Sequence, residues 1–306
     1  AARATLELAV ACGHTADVHQ SAFLMSHKAY TMRDDESYKA VLDDADRALI
    51  AGGETGPLAT VAATIAEAAA LMWPDLDDAL ARAGVSGARR VVATSHAPAV
   101  AMLPRLSTAL AAGAVMLYEH DAAQTDVTVV AAGTPIIVLG PRLVGEHSDL
   151  EPTAIRAILA RVVELTRPEH LAFAGLPTRD ATRLLASIVR LFGPTTLRES
   201  VSGLMSEEDD GVQRAHDDVV KAAMPVKLRT RLEGVLAPLQ PIALDNAKYL
   251  AECQRAADRA ALLLGGHPGV IVSGAQARGE SVGFLIKAVG QPGWLAARQK
   301  LGVGIR

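Results

Sequence analysis

Few residues of this chain combine a reactive type with a useful spacing, and the most informative ones fall in two stretches. The first is LEPTAIRAILARVVELTRPEH, residues 150–170, with Arg161-Val162-Val163-Glu164-Leu165 at its centre. The second is Gln254-Arg255-Ala256-Ala257-Asp258-Arg259, which sets Gln254 and Asp258 one helical turn apart. A helical zinc site would need two His four residues apart with a Glu as base. None of the nine His is so placed: His14 and His19 are five apart, and His147 and His170 are 23 apart. Each His therefore reads as a surface or hydrogen-bonded residue. Cys12 and Cys253 are too few for a disulfide framework or a cysteine zinc site. Ser95-His96 and Tyr118-Glu119-His120-Asp121 carry hydrolase residue types, but neither lies in a nucleophile elbow. The glycine-rich AGGETGP, residues 51–57, lacks the Gly-Lys-Ser/Thr ending of a phosphate loop. Glu151 and Glu164 do not read as an acid–base pair, and Glu164 reads as a solvated helix position.

The elements that position these residues must be built with little aromatic material. Half of the 306 residues are hydrophobic (50%) but only 3% are aromatic, so the core rests on Ala, Leu and Val, and the alanines favour helix. A net charge of −4 gives no basic face for nucleic acid. Residues 4–12 are apolar but interrupted by Glu7, and no run reaches membrane-spanning length without charge or Pro. The expectation is a cytoplasmic protein without a membrane span. The chain opens Ala1-Ala2-Arg3 without Met, as a piece of a longer protein would.

Helical periodicity is expected over residues 2–12, 19–32 and 35–51. Pro57 opens an Ala-rich helix that runs to residue 73, and residues 75–83 form another. Residues 89–94, 114–118, 126–130 and 135–139 read as strands, the last two joined by a turn at Ala131-Ala132-Gly133-Thr134. Pro135 suggests that its strand, with Ile136, Ile137, Val138 and Leu139, is a sheet edge. Residues 98–112 are expected to be helical, with Pro104 as a kink or break. A buried core helix is expected to start at Glu151-Pro152, with Asp149 as N-cap, and to be limited by Pro168. Further helices are expected over 178–192, 213–223, 225–236 and 243–264. Beyond them, 269–274 and 280–289 are the last ordered candidates and 298–306 a loose end. The basic segment Lys227–Arg231 reads as a solvated face that could meet an acidic partner. The fold class is therefore α+β and mostly helical, with a small sheet on core helices and helical hairpins before it. Residues 1–85 form a helical segment and 86–306 a second domain.

Three of these pieces in order resemble the gluzincin metallopeptidases related to HtpX and the CAAX-prenyl protease. They are the strand with its glycine (Ile136 to Leu143), the helix Ala154-Ile155-Arg156-Ala157-Ile158-Leu159-Ala160, and the helix Gln254 to Leu263. The resemblance covers roughly residues 90–265. Similar eroded segments end bacterial tetratricopeptide-repeat proteins, and the first 60 or so residues could be the end of such an array. Residue by residue, the family's first His falls on Arg161, its catalytic Glu on Val162, its second His on Leu165 and its third ligand on Gln254. Asp258 matches an Asp that orients a zinc-binding His in the family.

The resemblance thus implies a peptidase scaffold without its chemistry. A guanidinium cannot bind zinc, Val and Leu offer no lone pair, and Gln is a weak neutral ligand. No cofactor is expected. Two arrangements fit the remaining charges: Arg161 pairs with Asp258 in the former metal position, or Arg161 reaches solvent while Asp258 bonds Arg255 or Arg259. The leading expectation is a non-catalytic pseudo-metallopeptidase module that binds or scaffolds a protein, using Ile136–Leu139 as an edge for an extended peptide and the cleft beside Arg161. The alternatives are a hydrolase or metalloprotein with a site of another kind, and a structural cap on a helical repeat protein.

Overall fold

The computed structural model describes residues 37–52, 56–73, 75–91, 97–121, 125–144, 150–202 and 210–303. The helices expected at 2–12 and 19–32 lie outside the described residues. Helix α1, Asp44–Ala51, starts at a reciprocal cap: Asp43 accepts the Asp46 N–H, and the Asp46 carboxylate accepts the Asp43 N–H. Pro57 opens α2, Pro57–Ala66, as expected. The long helix expected to residue 73 is broken, and a short α3, Ala69–Met72, follows. The turn between the last two strands rests on α3 at this break, where a Cβ on Gly133 would lie 2.8 Å from that of Ala70. Asp75 caps α4, Leu76–Arg82.

The next stretch runs β1 (Arg89–Arg90), α5 (Pro98–Ala109), β2 (Met116–Glu119), β3 (Val127–Val130), β4 (Ile136–Leu139) and α6 (Pro141–Val144). Helix α5 contains Pro104 without ending there. The four strands form one mixed sheet in the order β1-β2-β4-β3. β3 and β4 make the expected antiparallel hairpin, while β2 and β4 are parallel. The edge expected at Ile136, Ile137, Val138 and Leu139 is therefore wrong: this strand lies inside the sheet. Its unbroken apolar run is the mark of a strand covered on both faces, and none of the four is more than 1% exposed. Pro135 precedes the ladder, so its missing N–H breaks no strand bond, and its carbonyl accepts the Met116 N–H. Alternation then divides the side chains. Ile137 and Leu139 enter the main core with Val129, whereas Ile136 and Val138 join Leu80, Val85 and Tyr118 in a smaller cluster under α4.

The remainder is helical: α7 (Pro152–Leu165), α8 (Pro168–Ala174), α9 (Thr178–Phe192), α10 (Thr195–Ser202), α11 (Asp210–Ala223) and α12 (Val226–Leu236). A 3-10 turn at Pro241–Leu244 leads to α13 (Asn246–Leu263), α14 (Pro268–Ala277), α15 (Gly283–Val289) and α16 (Trp294–Leu301). The N-cap of α7 is Glu151, without a side-chain bond, rather than Asp149, which lies outside the described residues. The fold is thus predominantly helical α+β. No helix among the described residues is long and apolar enough to cross a membrane.

Two expectations about the ends of the chain change. Ile50, Leu58, Val61 and Ile65 share one core with Leu159, Val163, Leu171 and Phe173, so residues 44–66 are built into the body that follows. Helix α2 buries Leu58, Val61, Ala62 and Ile65, too large an apolar face to stand apart in water. The expected loose end at 298–306 is ordered through residue 303: Leu301 and Val303 are buried, and Arg298 donates to the carbonyls of Leu262 and Val303.

Candidate functional site

The site is built on the pair α7 and α13, which pack directly against each other. Both bury alanines, Ala157 and Ala160 on one helix and Ala257, Ala260 and Ala261 on the other, and small side chains let the axes approach closely. Arg161 bridges the pair. Its Nε donates to Oδ1 of Asp258 at 2.5 Å and its NH2 donates to Oε1 of Gln254 at 2.8 Å. The other oxygen of Asp258 accepts from Arg278, just past α14. Asp258 is fully buried between these two partly exposed guanidiniums. Burial pushes its carboxyl above the ordinary range, and the attraction of Arg161 and Arg278 only partly offsets this. Of the two arrangements left open by the sequence, the structure takes the first: Arg161, Gln254 and Asp258 meet. Val162 and Leu165 instead lie in the apolar core.

A zinc ion does not fit these residues. Arg161 brings a permanent cation, Val162 and Leu165 have no donor atom, and the Gln254 oxygen is already engaged by Arg161.

One turn beyond Arg161, a second cluster appears that sequence reasoning missed. Glu164, read as solvated, has no exposed surface. Arg47 from α1 holds it in a two-pronged ion pair, NH1 to Oε2 at 2.8 Å and NH2 to Oε1 at 2.5 Å. His170 from α8 places Nε2 3.3 Å from the same carboxylate. Its Nδ1 lies 3.3 Å from Sγ of Cys253, the neighbour of Gln254 on α13. Tyr249 packs edge-on to Phe173 and donates to the Glu169 carbonyl. Burial alone would push Glu164 up, but hydrogen bonds from His170 and Arg47 outweigh it and hold the carboxyl at about 2. Burial alone would likewise push His170 down, but its bonds to Cys253 and Glu164 outweigh it and raise the ring to about 10. These side chains line a cavity of about 40 Å³. A drug-sized ligand needs roughly 300–1,000 Å³, so this is no general substrate pocket.

The signal for Glu164 was present: a carboxylate inside a helix that is apolar around most of its circumference needs a partner. Arg47, 117 residues away, could not be read from spacing. The remaining candidates sit apart from this centre. His120 Nε2 bonds the Ser86 carbonyl at 2.9 Å, and Glu119 and Asp121 pair with Arg89 at the sheet margin. Ser95 and His96 lie outside the described residues. In the basic segment, Arg231 pairs with Glu67 of this chain. The glycine-rich piece begins as a helix end: Gly52 closes α1 at φ +70°, and Arg259 donates to the carbonyls of Ile50 and Ala51.

Comparison with known proteins returns no matching family model, no matching curated protein and no matching solved structure.

Proposed function

We propose that the chain is a non-catalytic, gluzincin-like module that binds or scaffolds another protein. The observation that carries this reading is the bridge from Arg161 to both Gln254 and Asp258. On the alignment of the motifs, Arg161 and Gln254 stand where the family holds its metal and Asp258 where it orients a ligand. A bonded cation there repels zinc, and its hydrogen bonds hold the two helices in register. The packing of the surrounding helices supports a scaffold kept for shape after its chemistry was lost. Retention of shape favours a role in which surfaces matter, and the partner class that fits is protein.

A paired experiment tests the reading. Zinc content and peptide hydrolysis are measured on the purified chain and on R161H/L165H/Q254E, which restores a three-ligand set. The unmodified chain is expected to hold no stoichiometric zinc and to hydrolyse nothing, while the variant gains zinc binding. Stoichiometric zinc in the unmodified chain, with hydrolysis lost on chelation, overturns the non-catalytic reading. A folded variant that binds no zinc overturns the gluzincin-like geometry.

One observation favours a second reading, a structural cap on a helical repeat protein. Helices α1 and α2 bury apolar faces in the same core as α7 and α8, as the last helices of an array would under a terminal cap.

A further inference from the structure

Among the described residues Cys253 is a free, buried thiol, and the space beside it limits what can reach it. Sγ faces Nδ1 of His170 at 3.3 Å, and the other ring nitrogen faces Glu164 at 3.3 Å. Arg47 holds both oxygens of Glu164, including the one that faces the ring. A sulfur nucleophile, a proton carrier and a carboxylate that orients the ring therefore stand in line. All of them line the same cavity of about 40 Å³. One water needs roughly 10–15 Å³ of such space, so a reagent of two heavy atoms fits beside the sulfur. An acyl group or a bulky disulfide does not, which argues against a thiol hydrolase.

We propose that Cys253 is a modification site for hydrogen peroxide, with His170 as its proton carrier. Sγ attacks one peroxide oxygen, so that the S–O bond forms as the O–O bond breaks. The leaving oxygen takes the proton shared on the line between Sγ and Nδ1 and departs as water. Sulfur is oxidised and peroxide reduced: thiol plus hydrogen peroxide gives sulfenic acid plus water. The added oxygen enters the cavity that Cys253 lines. This inference does not rest on the peptidase resemblance.

The full chain, folded or unfolded in guanidinium chloride, is exposed to hydrogen peroxide or to the bulky disulfide DTNB. It is quenched, unfolded in dimedone and iodoacetamide, and digested, and the Cys253 and Cys12 peptides are read by mass spectrometry. Peroxide is expected to convert Cys253 at least about tenfold faster in the folded chain than in the unfolded one, a modest share of what a positioned proton carrier supplies. DTNB is expected to show the reverse order, at least about tenfold slower on the folded chain, because the thiol is shielded from it. His170→Asn is expected to remove the peroxide advantage, and Cys253→Ser to abolish that adduct. Peroxide oxidation no faster in the folded chain than in the unfolded one overturns the proposal, as does DTNB reacting as fast with the folded thiol. Both comparisons use the unmodified chain, so they decide the matter even if His170→Asn does not fold.

Discussion

The Nε of Arg161 lies 2.5 Å from Oδ1 of Asp258, and the carboxylate beneath it has no exposed surface. The two helices that carry these residues are joined at their centre by charge as well as by apolar contact. Asp258 also holds Arg278, which pairs in turn with Glu280.

Asp258→Ala is therefore expected to lower stability by about 2 kcal/mol, because it removes two charge-assisted hydrogen bonds but leaves Arg161 and Arg278 partly solvated and still in contact with Gln254 and Glu280. Arg161→Met is expected to cost less, about 1 kcal/mol, because Asp258 keeps Arg278 and the side chain of Arg161 is partly solvated. Urea unfolding of the two variants measures both, and equal losses would show that Arg278 does not share the charge.

Acid sensitivity follows from Glu164. Its folded carboxyl is held at about 2, below an ordinary value of 4.5. Depression of an acid stabilises the fold above the unfolded value, and that contribution is lost as pH falls from 4.5 toward 2. Glu164→Gln is expected to flatten this limb of the stability curve, as read by denaturant midpoints across that range.

The alkaline side follows from His170, whose ring is raised from 6.5 to about 10. A raised base stabilises the fold fully below 6.5, and the contribution fades as pH climbs through 10. His170→Asn is expected to remove this decline. Ring-proton chemical shifts would check the assignment directly, since a ring that titrates near its ordinary value contradicts the pairing with Glu164.

Gly140 closes the central strand under a backbone carbonyl. A Cβ there would stand 2.2 Å from the Thr125 oxygen. Backbone cannot swing aside as a flexible side chain does, so Gly140→Ala is expected to cost about 1–3 kcal/mol, the range for overpacking. Thermal unfolding measures it, and an unchanged midpoint would mean the 125–126 segment yields freely.

The amino-acid sequence by itself determined the helical character, the β3–β4 hairpin and the buried centre of α7, whereas the contact of Arg161 with Asp258 was one of two arrangements it left open. The first three follow from local periodicity and turn residues, and the last was offered by the resemblance alone. The order of the strands was decided only by the tertiary structure. Pro135 suggested an edge, yet a parallel partner, β2, covers β4, and a parallel pairing is set by how the intervening segment, which carries β3, returns the chain rather than by the strand's own residues. The same holds for Arg47, Glu164, His170 and Cys253. They come from four separate helices, so no spacing within any one of them announces the cluster. Glu164 appeared solvated because its helix gives it a polar identity but not a location. Its location came from α1 and α8, which close over it, and burial then turned an ordinary carboxylate into the anchor of an ion pair.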